Sequence, residues 1–274
     1  MNILDEIVQS KRKEVAERKK SRPIEQVIAE LSTAPRVRNF FTACTKKPTK
    51  LVNVIAEVKK RSPSAGEIRK EFDPVSIALE YQSAGADAIS VLTDEKYFGG
   101  SLEDLKAVRQ AINLPVLRKD FIIDSYQVYE ARAAGADAIL LIAECLTPGE
   151  LMDLMILSAS LKLTCLVEVH GMENLMRVRS MIGFPHASYS LLGINNRDLT
   201  TFRTDITTTL RLAELVQDHR TLVSESGIKQ RNDVIRLRRA GVNTVLIGQT
   251  LLQADGITEK MQELFSSLSD ENSS

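Results

Sequence analysis

The sequence is poor in the residues that build metal sites and disulfide frameworks. It has three cysteines and three histidines among 274 residues, and His170, His186 and His219 lie far apart along the chain. Neither residue type has the spacing of a zinc motif or of a paired-cysteine scaffold. We therefore expect no metal site, and the unpaired cysteines favour a reducing, cytoplasmic location.

Net charge and long apolar stretches are also absent. The chain has 36 Lys and Arg residues and 36 Asp and Glu residues, so no overall field favours nucleic acid or an anionic membrane. No apolar stretch reaches the roughly 18 residues that a membrane span requires. Asp5, Glu6, Glu14 and Glu17 lie in the first 20 residues, whereas transit peptides contain few acidic residues. We predict neither nucleic acid nor a membrane as a partner.

What the chain does contain is a regular alternation of strand and helix patterns. Two helical segments come first, and short apolar runs then recur after about residue 50. Runs of this kind are typical of parallel strands that are covered on both faces. The eight runs, separated by amphipathic segments, are Leu51–Val58, Asp87–Leu92, Pro115–Lys119, Asp137–Ile142, Leu163–Val169, Leu191–Ile194, Thr221–Ser224 and Asn243–Ile247.

Glycine turns join helix ends to strands in a repeated form. Residues 84–89 and 134–139 both read AGADAI, and residues 239–243 (RAGVN) are a third version. Each glycine suits a left-handed helix C-cap directly before a strand. The repeated unit predicts one (β/α)8 TIM-barrel domain over residues 1–274, with 1–50 as a helical N-terminal extension and 266–274 as a polar tail. The alternative is an open doubly wound sheet, which requires a glycine-rich motif after its first strand that residues 59–64 do not supply.

Charged side chains end several of the apolar runs. Glu57 and Lys59 do so in the first run, Lys119 in the third and Glu168 in the fifth. A charge in a buried strand is costly unless it is paired, hydrated or used in function. Because the carboxyl ends of barrel strands form the face that holds active sites, these residues predict an acid–base site. The alternative is a structural ring of salt bridges.

Small residues follow the seventh and eighth runs. Ser226 and Gly227 follow one run, and Gly248, Gln249 and Thr250 follow the other. Loops at these positions often bind phosphate in barrels, although glycines that serve only as turns would look the same. We expect a side chain at Gly248 to block phosphate while sparing the proton-transfer groups.

Two further segments lie close to the predicted site. Residues 60–66 form a basic loop of small residues, which would serve as a lid or as an ordinary solvated loop. His170 lies two residues after Glu168, and we expect it to be a solvated loop residue without a catalytic role.

Six segments, in the same order, resemble the indole-3-glycerol phosphate synthase family. They are residues 55–64 (IAEVKKRSPS), 90–94 (SVLTD), 119–124 (KDFIID), 166–170 (LVEVH), 193–199 (GINNRDL) and 224–228 (SESGI). The resemblance implies that the substrate is 1-(2-carboxyphenylamino)-1-deoxyribulose 5-phosphate and the product indole-3-glycerol phosphate, formed with loss of carbon dioxide and water. It implies no cofactor. It also implies a phosphorylated small molecule as the partner and a monomer or weak homo-oligomer as the assembly.

The resemblance also assigns roles to residues. It implies that Lys119 is the acid at the substrate carbonyl and that Glu168 transfers protons in ring closure and dehydration. Glu57 would stabilise the cationic intermediate, and Lys59 would hold the carboxylate or phosphate region or act as the dehydration acid. The residues implied to bind substrate are Ser62, Asn195, Arg197, Glu225 and Ser226, and those implied to meet phosphate are Gly227, Gly248 and Gln249. Because the family usually has Glu or Ser at the position of Gln249, a backbone contact is expected there.

Two other functions remain open at this point. A Schiff-base aldolase would also need a buried lysine and a phosphate site in a barrel. A sugar-phosphate-binding barrel without activity would have lost an acid or a base, and all four predicted acid–base residues are present.

Overall fold

The computed structural model describes residues 3–69, 71–198 and 201–267. Its main feature is a closed barrel of eight parallel strands. The strands are β1 (Asn53–Val58), β2 (Ala88–Leu92), β3 (Val116–Lys119), β4 (Ala138–Ile142), β5 (Thr164–Val169), β6 (Ser190–Asn195), β7 (Leu222–Glu225) and β8 (Thr244–Ile247). Each strand pairs with the next along the chain, and β8 pairs with β1. The predicted (β/α)8 TIM barrel is therefore confirmed, and the open sheet is excluded.

Helices precede the first strand and lie between the others. They are α1 (Ile3–Ser21), α2 (Ile24–Glu30), α3 (Phe40–Thr45), α4 (Pro74–Ser83), α5 (Glu95–Phe98), α6 (Leu102–Ala111), α7 (Ser125–Ala133), α8 (Pro148–Ser160), α9 (Met172–Val178), α10 (Thr207–Ala213), α11 (Arg231–Arg239), α12 (Gln249–Leu252) and α13 (Ile257–Phe265), with 3₁₀ turns at Ala143–Cys145 and His219–Thr221. None of the helices in the described ranges is long and apolar enough to cross a membrane.

Local sequence signals account for where the helices begin and end. Thr147 caps α8 in a reciprocal capping box with Glu150, and Ser101 caps α6 through its side chain. The turn glycines Gly85 and Gly135 have φ of +87° and +90°, which is the left-handed conformation that their repeated motif predicts.

The inner core of the barrel is sealed at the amino-terminal ends of the strands. Phe40 of α3 is fully buried and packs into the cluster formed by inward-facing strand residues. Asn53 at the start of β1 donates hydrogen bonds from its side chain to the carbonyls of Cys44 and Lys46, which holds α3 in place. The opposite end of the barrel, at the carboxyl ends of the strands, is left for polar chemistry.

The N-terminal extension is fastened to the barrel by a buried lysine. Lys11 of α1 lies with its Nζ 2.8 Å from Asp94 and 3.0 Å from Asp120, and all three side chains are buried. Asp120 directly follows the last residue of β3. The predicted polar tail, residues 266–274, lies outside the described residues apart from its first two positions.

Candidate active site

The polar site is the layer of the barrel interior between the apolar core and the carboxyl ends of the strands. Because side chains alternate across a strand, residues two positions apart point the same way. On each of four strands a core residue is followed two positions later by a charged one: Ile55 by Glu57, Leu117 by Lys119, Leu166 by Glu168 and Val223 by Glu225. The charges that end the apolar runs therefore converge inside the barrel.

These residues line a cavity of about 800 Å³ at the carboxyl ends of the strands. Every residue of the predicted site except Ser62 lies on its wall: Glu57, Lys59, Lys119, Glu168, Asn195, Arg197, Glu225, Ser226, Gly227, Gly248 and Gln249. The wall of the cavity also includes the apolar residues Leu92, Phe98, Phe121, Leu140, Ile142 and Leu246. The site therefore offers a surface for a flat ring beside a cluster of charges.

Ser62 is held in the loop after β1, away from the cavity wall. Its hydroxyl accepts a hydrogen bond from the backbone N–H of Ala65. The same loop forms a short antiparallel ribbon in which Arg61–Ser62 pairs with Gly66–Glu67. Arg197 reaches across from the loop after β6 and donates a hydrogen bond to Ser64, so the loop lies beside the mouth.

Lys119 stands at the centre of the charged cluster. Its Nζ lies 2.9 Å from Glu168 Oε2 and 3.0 Å from Glu225 Oε2, and its side chain is 13% exposed. Burial disfavours the ammonium, but the surrounding carboxylates, Glu168 foremost, outweigh that effect and raise the pKa of Lys119. Lys119 is therefore an ammonium throughout the neutral pH range and is available as a proton donor.

The two carboxyl groups around Lys119 have opposite pKa shifts. Burial raises the pKa of Glu168, but the neighbouring Lys119 and His170 prevail and lower it below its ordinary value. For Glu225, burial and the negative charge of Glu168 prevail over Lys119, and the pKa is raised. Because these two carboxyl groups lie close together, ionisation of Glu168 disfavours ionisation of Glu225. We infer that Glu168 is the more acidic of the two.

Two strand glycines make room for these carboxyl groups. A Cβ on Gly193 of β6 would collide with Oε1 of Glu225, and a Cβ on Gly248 would lie 2.8 Å from both Cβ and Oε1 of Glu57. The expectation that a side chain at Gly248 spares the proton-transfer groups is therefore wrong. Glu57 also forms an ion pair with Lys59, so Gly248 supports an acid–base pair as well as the mouth of the cavity.

The turn after β7 has an unusual backbone. Ser226 and Gly227 both have positive φ, at +64° and +80°, and a non-glycine residue in that conformation is strained. The side-chain amide of Asn196 holds the turn by donating to the carbonyls of Glu225 and Ser226. Asn196 in turn accepts hydrogen bonds from the backbone and hydroxyl of Thr209. Asn196 is thus a support for the predicted phosphate turn.

His170 is not a solvated loop residue, and that expectation is wrong. Its imidazole is 11% exposed and lies between two carboxylates, with Nε2 3.3 Å from Glu168 Oε1 and Nδ1 3.2 Å from Glu144 Oε2. Glu144 belongs to the 3₁₀ turn after β4, and nothing in the sequence near His170 signals its approach. Its position two residues after Glu168 was the one available clue.

Residues that could ligate a metal are not grouped for that purpose. Across residues 3–69, 71–198 and 201–267, no set of three or more His, Cys, Asp or Glu side chains has the arrangement of a metal site. Glu57, Glu168 and Glu225 are engaged instead with the ammonium groups of Lys59 and Lys119.

Solved structures that resemble the chain share its fold. A mutant tryptophan synthase α-subunit from Pyrococcus furiosus aligns with a TM-score of 0.56 at 16% identity, covering 78% of this chain and 98% of that one. A thiamine phosphate pyrophosphorylase from Pyrococcus furiosus aligns with a TM-score of 0.54 at 17% identity, covering 78% and 94%. At this level of identity the likeness concerns the barrel alone.

Sequence relatives are much closer. The family model for indole-3-glycerol phosphate synthase matches residues 4–264. A curated protein of that name from Rhodopirellula baltica is 44% identical over 267 residues, which cover 97% of this chain and 100% of the relative. Another, from Geobacillus kaustophilus, is 46% identical over 263 residues, which cover 96% of each chain. The chain therefore belongs to the indole-3-glycerol phosphate synthase family.

Proposed function

We propose that this chain converts 1-(2-carboxyphenylamino)-1-deoxyribulose 5-phosphate to indole-3-glycerol phosphate, with loss of carbon dioxide and water. It is then a carbon–carbon lyase of tryptophan biosynthesis. The observation that carries the proposal is the placement of the Lys119 ammonium. It lies between two carboxyl groups, beside an apolar wall that suits the aromatic ring of the substrate.

Lys119 is the proton donor for ring closure. Attack of the aromatic carbon on the ketone places negative charge on the ketone oxygen. An ammonium within hydrogen-bond reach neutralises that charge by giving up a proton. The alkoxide is a strong base, so the raised pKa of Lys119 does not prevent the transfer.

Carboxylates stabilise the cationic intermediate that follows ring closure. Ring closure leaves a cationic nitrogen until carbon dioxide departs, and Glu57 supplies negative charge near that position. Glu168, kept ionised by its cationic neighbours, then accepts a proton during dehydration. Lys59, paired with Glu57, holds the substrate carboxylate or phosphate region, and protonation of the departing hydroxyl is its alternative role.

The remaining residues of the site hold the substrate. Asn195 donates a hydrogen bond from its side chain to Glu168 Oε1 and thereby couples substrate binding to the base. The phosphate meets the small residues after β7 and β8, which bring backbone N–H groups close to an anion. The residues assigned to substrate and phosphate are Ser62, Asn195, Arg197, Glu225, Ser226, Gly227, Gly248 and Gln249.

The structure disfavours a Schiff-base aldolase. Such an enzyme needs a neutral lysine amine as its nucleophile. The carboxylates around Lys119 raise the pKa of its ammonium and so hold it in the non-nucleophilic form. Trapping of substrate on Lys119 by borohydride would reverse this assignment.

A direct assay tests the proposed reaction. The purified chain is incubated with the carboxyphenylamino substrate, and indole fluorescence is followed. We expect product that grows with enzyme concentration and disappears in Lys119→Met, whereas Lys106→Met, a change on the outer surface of α6, retains the parent rate. Absence of product from the folded parent would overturn the proposal.

We further propose a cytoplasmic location and a monomer or weak homo-oligomer. Cys44, Cys145 and Cys165 are free thiols, which suits a reducing compartment.

A further inference from the structure

His170 connects the active site to a second cavity. Its imidazole lies within ion-pair distance of Glu168 on one side and of Glu144 on the other. Glu168 contacts Lys119 through its other oxygen. The four side chains therefore form a continuous row, Glu144–His170–Glu168–Lys119, that starts outside the barrel and ends at its centre.

Glu144 is fixed at the outer end of this row. Its Oε1 accepts hydrogen bonds from the backbone N–H of His170, at 3.0 Å, and from the Asn174 side chain, at 2.8 Å. Glu144 also lines a groove beneath α1 together with Leu4, Asp5, Val8, Gln9, Arg12 and Cys145. This groove is separate from the substrate cavity, so the row has an entrance that bound substrate does not cover.

The proposed reaction has a proton requirement that the substrate cannot meet. A carboxylate leaves as neutral carbon dioxide, so the substrate anion and one proton give the product anion, carbon dioxide and water. Within the site, donors release protons to the ketone oxygen and to the departing hydroxyl, while a base recovers only one. The proton that the base recovers replaces the one released to the departing hydroxyl, so the enzyme ends each turnover one proton short, with Lys119 left as a neutral amine.

We propose that His170, held by Glu144, returns this proton to Lys119 through Glu168. The imidazolium gives the proton on Nε2 to Glu168 Oε1, and the protonated carboxyl group of Glu168 then turns and passes that same proton to the Lys119 amine, which restores the carboxylate. The neutral imidazole keeps its proton on Nδ1, so the ring turns over, and its vacant nitrogen then takes a proton from Glu144, which receives one from water in the groove. Because His170 acts through Glu168 and does not touch substrate, it is a positioning residue of this reaction.

The charges around His170 favour the form that the relay needs. Burial alone would lower the pKa of the imidazole, but its contact with Glu144 and the charges of Glu168 and Glu225 outweigh burial and raise the pKa above the ordinary 6.5. These contacts favour the imidazolium over the neutral ring. Neither ring nitrogen makes an aligned hydrogen bond with a described residue, so the contacts are ion-pair contacts in which the ring is not locked to one carboxylate.

The test separates the first turnover from later ones. The first turnover uses the proton already on Lys119, and only later turnovers depend on the relay. In rapid-mixing experiments that follow indole fluorescence, we expect His170→Gln to complete one turnover per site at about the parent rate. The steady-state rate should then fall by about tenfold, less than the roughly 10²-fold loss expected when a group that touches the reacting atoms is removed.

Two further variants sharpen this result. In His170→Ala, added imidazole should restore the steady-state rate in proportion to its concentration, without changing the rate of the first turnover. Glu144→Gln retains the imidazole and should show a weaker form of the same two-phase behaviour. This variant tests the relay even if the His170 variants do not fold. His186→Gln, on the exposed loop before β6, is the matched control and should behave as the parent.

A first turnover slowed as much as later ones would mark His170 as a structural residue and overturn the relay, as would an unchanged steady-state rate. The relay rests on the proposed reaction, but the two fail differently. If the parent forms no indole product, the proposed function is wrong. If the parent is active and His170→Gln shows a single unaltered phase, only the relay is wrong.

Discussion

Two buried ion networks meet on adjacent residues of the chain, and they are built differently. The outer network joins Lys11, Asp94, Arg118, Asp120 and Glu130. Arg118 is fully buried and donates hydrogen bonds to Thr93, to Asp120 and to the Gln127 carbonyl, while Lys11 contacts both aspartates. The inner network is centred on Lys119, the residue between Arg118 and Asp120.

The two networks differ in how completely their polar atoms are satisfied. No side chain of the outer network has a buried polar atom without a partner among the described residues, whereas the inner one leaves Glu225 Oε1 and both nitrogens of His170 without hydrogen bonds. An unpaired buried polar atom costs about 1–3 kcal/mol. We infer that the outer network serves stability and fixes the end of β3, and that the inner one keeps polar atoms available for substrate and protons.

The largest expected effect lies in the outer network. Lys11→Met removes the cation beside Asp94 and leaves Asp120 with Arg118 alone, and we expect the free energy of unfolding to fall by about 3–5 kcal/mol. Urea unfolding followed by circular dichroism measures this loss. Lys13→Met, an exposed position on the same helix, should stay within about 0.5 kcal/mol of the parent. Equal stability of the two variants would contradict the structural role of the outer network.

The next effect concerns the base of the inner network. Glu168→Gln keeps the shape of the side chain but cannot accept the proton of dehydration. We expect kcat to fall by at least about 10²-fold, or roughly 2.7 kcal/mol of activation free energy, while the substrate Kd changes little. Glu173→Gln, exposed on α9, is the control. A weakened Kd with kcat preserved would make Glu168 a binding residue instead.

A smaller effect is expected from crowding the inner network. Gly248→Ala places a Cβ 2.8 Å from Glu57 and displaces that carboxylate from its ion pair with Lys59. We expect kcat/KM to fall by about tenfold, or roughly 1.4 kcal/mol, with the fold retained. Gly149→Ala, where a Cβ meets open space, should leave kcat/KM unchanged. Parent-like kinetics in Gly248→Ala would show that Glu57 has room to move without consequence.

The smallest effect is the acid sensitivity of the outer network. Burial raises the pKa of Asp120, but Lys11 and Arg118 outweigh it and lower the pKa. A carboxylate with a lowered folded pKa gives stability above its unfolded pKa of about 3.9, and this stability is lost as pH falls through the folded pKa. The parent should therefore lose more free energy of unfolding between neutral pH and pH ~3 than Lys11→Met. Parallel losses would contradict this linkage.

Periodic patterns were sufficient to predict the barrel and the charged strand residues of the inner network. Strands and the direction of their side chains follow local rules of alternation, so Glu57, Lys119 and Glu168 could be placed at one mouth from sequence. Ser62 is the exception, because the course of a loop depends on distant contacts such as that between Arg197 and Ser64.

Contacts between distant segments could not be predicted from the sequence. The room that Gly193 and Gly248 leave for carboxyl groups depends on the register between neighbouring strands, and His170 owes its setting to a turn that follows another strand. The sequence does contain one indication of the outer network, which the predictions did not use. Lys11 falls four residues after Ile7 and four before Val15, both buried in α1, so its spacing places it on the buried face of the helix.

The account depends most on Lys119 being the proton donor, and one measurement tests that directly. Lys119→Met retains the aliphatic stem and removes the ammonium, and kcat is measured by indole fluorescence at saturating substrate beside a check of folding by circular dichroism. The account predicts a folded protein whose kcat is lower by at least about 10²-fold. A folded variant with near-parent kcat would contradict it and would transfer the acid role to Lys59.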